Sequence, residues 1–173
     1  MVDVTVMARA QAGEEAAFAE IVAAYERELG VFLYRRVRNP HVAEDLLQES
    51  FIAAWRALPR TSPDLLLRPW LYKIALNMAR QWERRERIVR WIPLHFLHAP
   101  VDAEDPSQRD EVHRVLARMK REDAEVLLLR ITAGLTYSDI GALLRLKPET
   151  VRQRLHRARE RFRRIYTSER GDT

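Results

Sequence analysis

The chain has no cysteine. Disulfides and thiolate metal sites are therefore excluded, and the absence fits a reducing cytosol. Lysine is nearly missing as well: among 30 basic residues only Lys73, Lys120 and Lys147 are lysine, and the rest are arginine. Arginine is the better group for bidentate contacts to phosphate and base edges, although a GC-rich genome also yields arginine-rich proteins. Glycine occupies 5 of 173 positions and strand-type alternation is hard to find. No apolar run approaches the roughly 18 residues of a membrane span, and Met1 to Ala12 lacks the charged-then-apolar pattern of a signal peptide. A soluble, cytoplasmic protein is expected. There is no Gly-rich phosphate loop and no nucleophile with a base beside it, so neither an enzyme nor a cofactor is expected. His95, His98 and His113 could suggest a metal site. Spaced histidines near a proline-rich stretch, without a thiolate partner, are thin evidence, and no metal is expected.

What is present favours helices. Ala, Leu, Arg and Glu dominate, 47% of residues are hydrophobic, and the formal net charge is +5. The length suits one ordinary domain or two small ones. Helical spacing of Phe18, Val22, Tyr25, Leu29 and Phe32 or Leu33 opens a first helix. Asn39-Pro40 breaks it, and a second helix runs from about His41 to Leu58. Pro59 to Pro69 reads as a loop with three prolines, and a third helix begins near Pro69 and reaches about Arg87. From Ile92 to Pro106 the periodicity fails among prolines and acids, too long and polar for a tight turn. The expectation is an all-α chain of two small helical domains, about 10–90 and 107–168, joined by a flexible linker over 91–106.

The strongest local signal lies in "LTYSDIGALLRLKPETVRQRLHRARERFRR" (Leu135 to Arg164). Thr136 can cap a helix starting at Tyr137, Gly141 is small where a close approach is needed, and Arg145 to Lys147 make a turn. Pro148 opens the next helix, with Glu149 favourable in its first turn. Val151, Leu155, Ala158 and Phe162 form a core stripe. The opposite face holds Glu149, Gln153, His156 and Glu160, flanked by Arg152 and Arg159 on one side and Arg154, Arg157 and Arg161 on the other. A short helix, a turn and a longer basic helix make a helix-turn-helix, whose second helix enters the major groove. Gln and Arg read adenine and guanine edges there, while flanking arginines hold phosphates.

A second basic stripe runs along the third helix: Lys73, Asn77, Arg80, Arg84 and Arg87, beside a core side of Leu71, Ala75, Met78 and Trp82. Such a stripe can follow a nucleic-acid backbone. Trp70 and Tyr72 at its start, if exposed, suit unstacked bases, whereas core packing accounts for Trp70 equally well. On the second helix, Asp45 and Glu49 share a face with Ile52 nearby. A solvated acidic face is the simpler account of that pair taken alone, and a basic protein partner is the other.

Taken together, these three features resemble the bacterial sigma-70 superfamily, specifically its extracytoplasmic-function (ECF, group IV) RNA polymerase sigma factors, over about 15–90 and 108–166. "DLLQESFIAAW" (Asp45 to Trp55) resembles the region-two helix that docks on the clamp helices of polymerase β′. "RPWLYKIALNMARQWERR" (Arg68 to Arg85) resembles the segment that binds the melted −10 element, and "LTYSDIGALLRLKPETVRQRLHRAR" the region-four helix-turn-helix that reads the −35 element. The resemblance implies that Asp45, Gln48, Glu49 and Ile52 face polymerase, that the loop Pro59 to Pro69 cradles a flipped-out base, and that Trp70, Lys73, Asn77, Arg80 and Arg84 hold the single strand. It places Arg152, Gln153, Arg154, His156 and Arg157 at the −35 element. The implied partners are core RNA polymerase (β′ clamp helices and β flap), promoter DNA and an anti-sigma factor, which could hold the protein at the inner membrane without any membrane insertion of its own. The chain departs from the family pattern at Gln81, where Asp is usual, at Arg145 and Glu149, where Gly is usual, and over Val112 to Lys120, which lacks the usual proline. A stand-alone helix-turn-helix regulator is the alternative. It leaves the first basic stripe and the acidic pair without a role, and it needs a dimer interface.

Overall fold

The computed structural model describes the backbone of residues 2–91 and 108–171. Among these every regular element is helical: α1 (Val4–Gln11), α2 (Glu15–Val37), α3 (Pro40–Ala57), a 3₁₀ turn (Leu58–Arg60), α4 (Leu67–Trp91), α5 (Gln108–Arg118), α6 (Arg121–Ile131), α7 (Tyr137–Leu144) and α8 (Pro148–Gly171). The chain divides into two compact units, Met1–Arg85 and Glu86–Thr173. The linker expected over 91–106, save Trp91 at the end of α4, lies outside the described residues. So do His95 and His98, and the side chains of Arg87 and His113.

In the first unit, local chemistry sets the helix ends. Arg38 takes a left-handed conformation (φ 63°) and stops α2, its N–H donating to the Tyr34 carbonyl at 2.8 Å. Asn39 then caps α3, its Oδ1 accepting from the Val42 N–H at 3.1 Å, with Pro40 in the first turn where its missing N–H costs nothing. Helix α2 packs against both α1 and α3. Covered from two sides, it buries Ala17, Ile21, Leu29, Phe32, Leu33 and Val37. Leu29, Phe32 and Leu33 match the expected stripe, whereas Phe18, Val22 and Tyr25 are only half-buried. Helix α1, which the sequence pattern did not reveal, has no side-chain cap and buries Met7 and Ala10.

Helix α4 buries a wide face: Leu71, Tyr72, Ala75, Leu76 and Ala79, with Met78 and Trp82 at its margins. The expectation of an exposed Tyr72 is wrong. Its ring is fully buried and meets Phe32 edge-on, centroids 5.1 Å apart and planes at 79°, a pairing that adds about 1 kcal/mol to the gain from burial. A second tie between α2 and α4 is ionic. The Arg36 Nε stands 2.8 Å from the Glu83 Oε1, and the Arg36 side chain is only 4% exposed.

The second unit closes on Val115, Leu116, Met119, Val126, Leu129, Leu135, Ile140, Val151, Leu155 and Ala158. Helix α8 packs on α5, α6 and α7, burying the expected stripe of Val151, Leu155 and Ala158 and leaving Phe162 half-buried. Arg130 ties α6 to the start of α7. Its Nη1 donates to the Leu135 carbonyl at 2.7 Å, and its guanidinium lies over the Tyr137 ring, 5.2 Å from the centroid.

Candidate nucleic-acid and partner interfaces

The helix-turn-helix is built by short-range bonds. The Thr136 hydroxyl accepts from the Asp139 N–H (3.1 Å), and the Asp139 carboxylate accepts from the Thr136 N–H (3.0 Å), a reciprocal cap that fixes the start of α7. At the other end, the N–H groups of Arg145 and Leu146 both donate to the Gly141 carbonyl, the second at 2.8 Å. That bonding requires Arg145 to be left-handed, with φ at 58°. It also folds the turn back onto α7: a Cβ on Gly141 would lie 2.6 Å from the Leu146 carbonyl oxygen. Only glycine fits there.

Beyond the turn, α8 displays Arg152, Gln153, His156 and Arg157 along one exposed face. Arg154 does not join them. It is 26% exposed and turned toward α6, with its Nη1 3.3 Å from the Glu122 Oε2. Arg161 likewise leans toward Asp123, at 4.0 Å. Arg152 belongs to the displayed face but holds the Glu149 carboxylate at 2.7 Å.

On α4, Lys73, Asn77 and Arg84 are exposed, with Gln81 beside them; Trp70 and Arg80 are half-buried. The loop ahead of α4 is shorter than the proline pattern implied, because the 3₁₀ turn takes up Leu58–Arg60 and α4 starts at Leu67. It spans 61–66. Two residues outside the sequence-derived set reach this loop or its end: Gln11 from α1, and Glu28, which receives a hydrogen bond from the Arg68 Nη2 at 2.6 Å. Nothing in local periodicity marks either one.

Behind Arg68 is a small polar cluster of Tyr25, Glu28 and Tyr72. The Glu28 Oε1 and the Tyr72 hydroxyl are buried without hydrogen-bond partners. Burial lifts the Glu28 carboxyl above its ordinary value, and the Arg68 charge offsets only part of that. Burial also raises the Tyr72 phenol well above its ordinary value, helped by the Glu28 charge and opposed by Arg68. Because the folded chain keeps this proton where the unfolded chain would release it, the Tyr72 contribution to stability is full below the ordinary tyrosine value of 10.0 and declines as pH rises beyond it. Tyr72→Phe removes an unpaired buried hydroxyl without changing the ring. It is expected to stabilise the fold by about 1 kcal/mol at neutral pH and to flatten the alkaline loss, both read from urea unfolding at stepped pH.

The α3 face carries Asp45, Gln48 and Glu49, all exposed, with Ile52 50% exposed among them. Its opposite side is buried through Ala43, Leu46, Ser50, Phe51 and Ala54, and Ser50 disposes of its hydroxyl on the Leu46 carbonyl at 2.6 Å. Neither Asp45 nor Glu49 is engaged by a cation among the described residues.

The family described as Sigma-70 region 2 matches residues 21–89, and the family described as Sigma-70, region 4 matches residues 109–162. RNA polymerase sigma factor CarQ of Myxococcus xanthus is 34% identical over 164 residues, covering 92% of this chain and 94% of that protein. RNA polymerase sigma-H factor of Pseudomonas aeruginosa is 33% identical, covering 91% and 90%. Among solved structures, CnrH in complex with the cytosolic domain of CnrY superposes with a TM-score of 0.79 at 26% identity, over 97% of this chain and 99% of that one. The sigma factor RpoE of Bartonella quintana, in complex with the anti-sigma factor NepR, shares the fold with a TM-score of 0.73 at 23% identity, over 87% and 96%.

Proposed function

We infer the role of this chain from its family: it belongs to the sigma-70 RNA polymerase sigma factors, in the extracytoplasmic-function group. It is a transcription initiation factor that binds core RNA polymerase and directs it to specific promoters. It acts by binding and carries out no chemistry of its own. We place it in the cytoplasm, where an anti-sigma factor, itself membrane-bound in some systems, holds it until a signal arrives. No helix among the described residues is long and apolar enough to cross a membrane.

One observation carries the division of labour: an exposed acidic face, a basic stripe beside a short loop, and a helix-turn-helix succeed one another in a single chain. The α3 face of Asp45, Gln48, Glu49 and Ile52 docks on the polymerase clamp helices. Trp70, Lys73, Asn77, Arg80 and Arg84 hold the melted −10 strand, with the 61–66 loop taking up a flipped-out base. Arg152, Gln153, His156 and Arg157 meet the −35 duplex. Phosphate contacts set affinity and base contacts set choice, and two DNA sites on one chain gain from effective concentration.

The test is co-purification with core polymerase, followed by sequencing of the transcripts that the mixture starts on fragmented genomic DNA. A shared two-part motif upstream of the starts is the expected result. Tight duplex binding without polymerase would favour the stand-alone regulator instead. Within α8 the arginines should separate. Arg157→Ala is expected to lower the preference for the −35 element over scrambled duplex by about tenfold, the scale of one good base contact. Arg154→Ala should leave that preference within about twofold, since its guanidinium faces Glu122. Equal losses on promoter and scrambled duplex would make Arg157 a phosphate contact only.

A further inference from the structure

We propose that Gln11, on the N-terminal helix, is a positioning residue for base choice in the melted strand, acting through the 61–66 loop. The proposal rests on the proposed function, in which that loop takes up a flipped-out base.

Helix α1 is seated firmly enough to serve as a fixed point. Met7 and Ala10 are buried, and α1 packs on both α2 and the 3₁₀ turn. Arg9 pairs with Glu14 and, at 3.6 Å, with Glu20. From this support the Gln11 amide reaches the loop with both of its N–H donors engaged. Nε2 donates to the Thr61 hydroxyl at 2.9 Å and to the Ser62 carbonyl at 3.0 Å. Both acceptors are structural hubs. The Thr61 hydroxyl passes its own hydrogen to the Leu58 carbonyl at 2.6 Å, tying the loop to the 3₁₀ turn. The Ser62 carbonyl also accepts the Leu65 N–H at 3.1 Å, the bond that closes the turn around Pro63 and Asp64. The Gln11 amide thus sets the orientation of that turn.

The far end of the loop is fixed independently. Arg68 is held by Glu28, and the Trp70 N–H donates to the Leu66 carbonyl at 3.2 Å. Between the two anchors the tip projects, with Pro63 and Asp64 exposed. A loop whose shape is settled before DNA arrives loses little freedom on binding, so its contacts discriminate between bases. With one anchor released, the same side chains remain but the tip samples other positions, and the wrong base is penalised less.

The experiment uses holoenzyme made from the full chain and core polymerase. Its template is a promoter that this holoenzyme uses, randomised separately across the −10 and −35 elements. Two variants keep the size of the side chain and remove the donors: Gln11→Glu, which also sets a carboxylate against the Ser62 carbonyl, and Gln11→Met. Both are expected to reduce the base preference at one unpaired −10 position by about fivefold or more. The −35 preference and core-polymerase affinity should stay as in the wild type, while the thermal midpoint falls only by the small amount that two lost hydrogen bonds cost. Retained −10 preference in either variant would overturn the proposal. So would an even loss at both elements, which is the mark of a merely structural residue. If the wild-type holoenzyme itself selects no base in the melted strand, the reading of the loop fails, and this proposal with it.

Discussion

A chain carrying both Asp45→Arg and Glu49→Arg should lose core-polymerase affinity by at least about 100-fold while keeping its fold and its grip on −35 duplex. The reason lies in where the two side chains sit. Both are exposed on α3, and the apolar side of that helix is untouched by the change. The helix itself gains no new problem, because one like-charged pair four residues apart replaces another. A basic docking surface, by contrast, would meet two cations in place of two anions. Juxtaposed like charges cost several kcal/mol, and about 2.7 kcal/mol already corresponds to 100-fold. Titration of labelled core polymerase, together with thermal unfolding of the variant alone, checks both halves. If binding is unchanged, polymerase docks elsewhere and Asp45 and Glu49 belong to an ordinary solvated face.

The second large effect is expected at Gly141. Gly141→Val must drive a branched side chain into the Leu146 carbonyl, where even a single Cβ would lie at 2.6 Å. The obstacle is backbone, and that backbone is held in place by bonds to the Gly141 carbonyl itself. Relief requires opening the turn and shifting α8 against α7. A loss of about 3 kcal/mol in the unit containing the helix-turn-helix is expected, along with its duplex binding. The neighbouring, exposed Ala142 supplies the control. Ala142→Val carries only the helix-propensity cost, below about 1 kcal/mol. If the two variants unfold alike in denaturant, close approach at Gly141 contributes nothing and the turn tolerates a side chain.

Much of this architecture could be read from local sequence because local chemistry builds it. The Thr136 cap, the Pro148 start of α8 and the glycine at the close approach each depend on neighbours within a few residues. The stripe of Val151, Leu155 and Ala158 needed only helical periodicity. The failures share one cause: they are settled by contacts between distant segments. Tyr72 looked like an exposed aromatic beside cations, and Phe32 from α2 makes it core. The lean of Arg154 toward Glu122 on α6 is likewise a contact that periodicity within α8 cannot show. Ile21 is buried and Val22 only half-buried because α2 is covered from two sides, which broadens its buried face. Gln11 gives no periodic or motif signal, and its partners stand 50 and 51 residues away.

The carboxylates around α8 have a thermodynamic consequence. Arg152, Arg154 and Arg161 each already face an acidic group of the same unit. Only cations that neutralise phosphates release condensed counterions, each contact steepening the dependence of log K on log salt by about 0.9. If α8 meets duplex DNA as proposed, its salt dependence should be shallower than its arginine count implies, because three of those arginines must leave these carboxylates before they can neutralise phosphates.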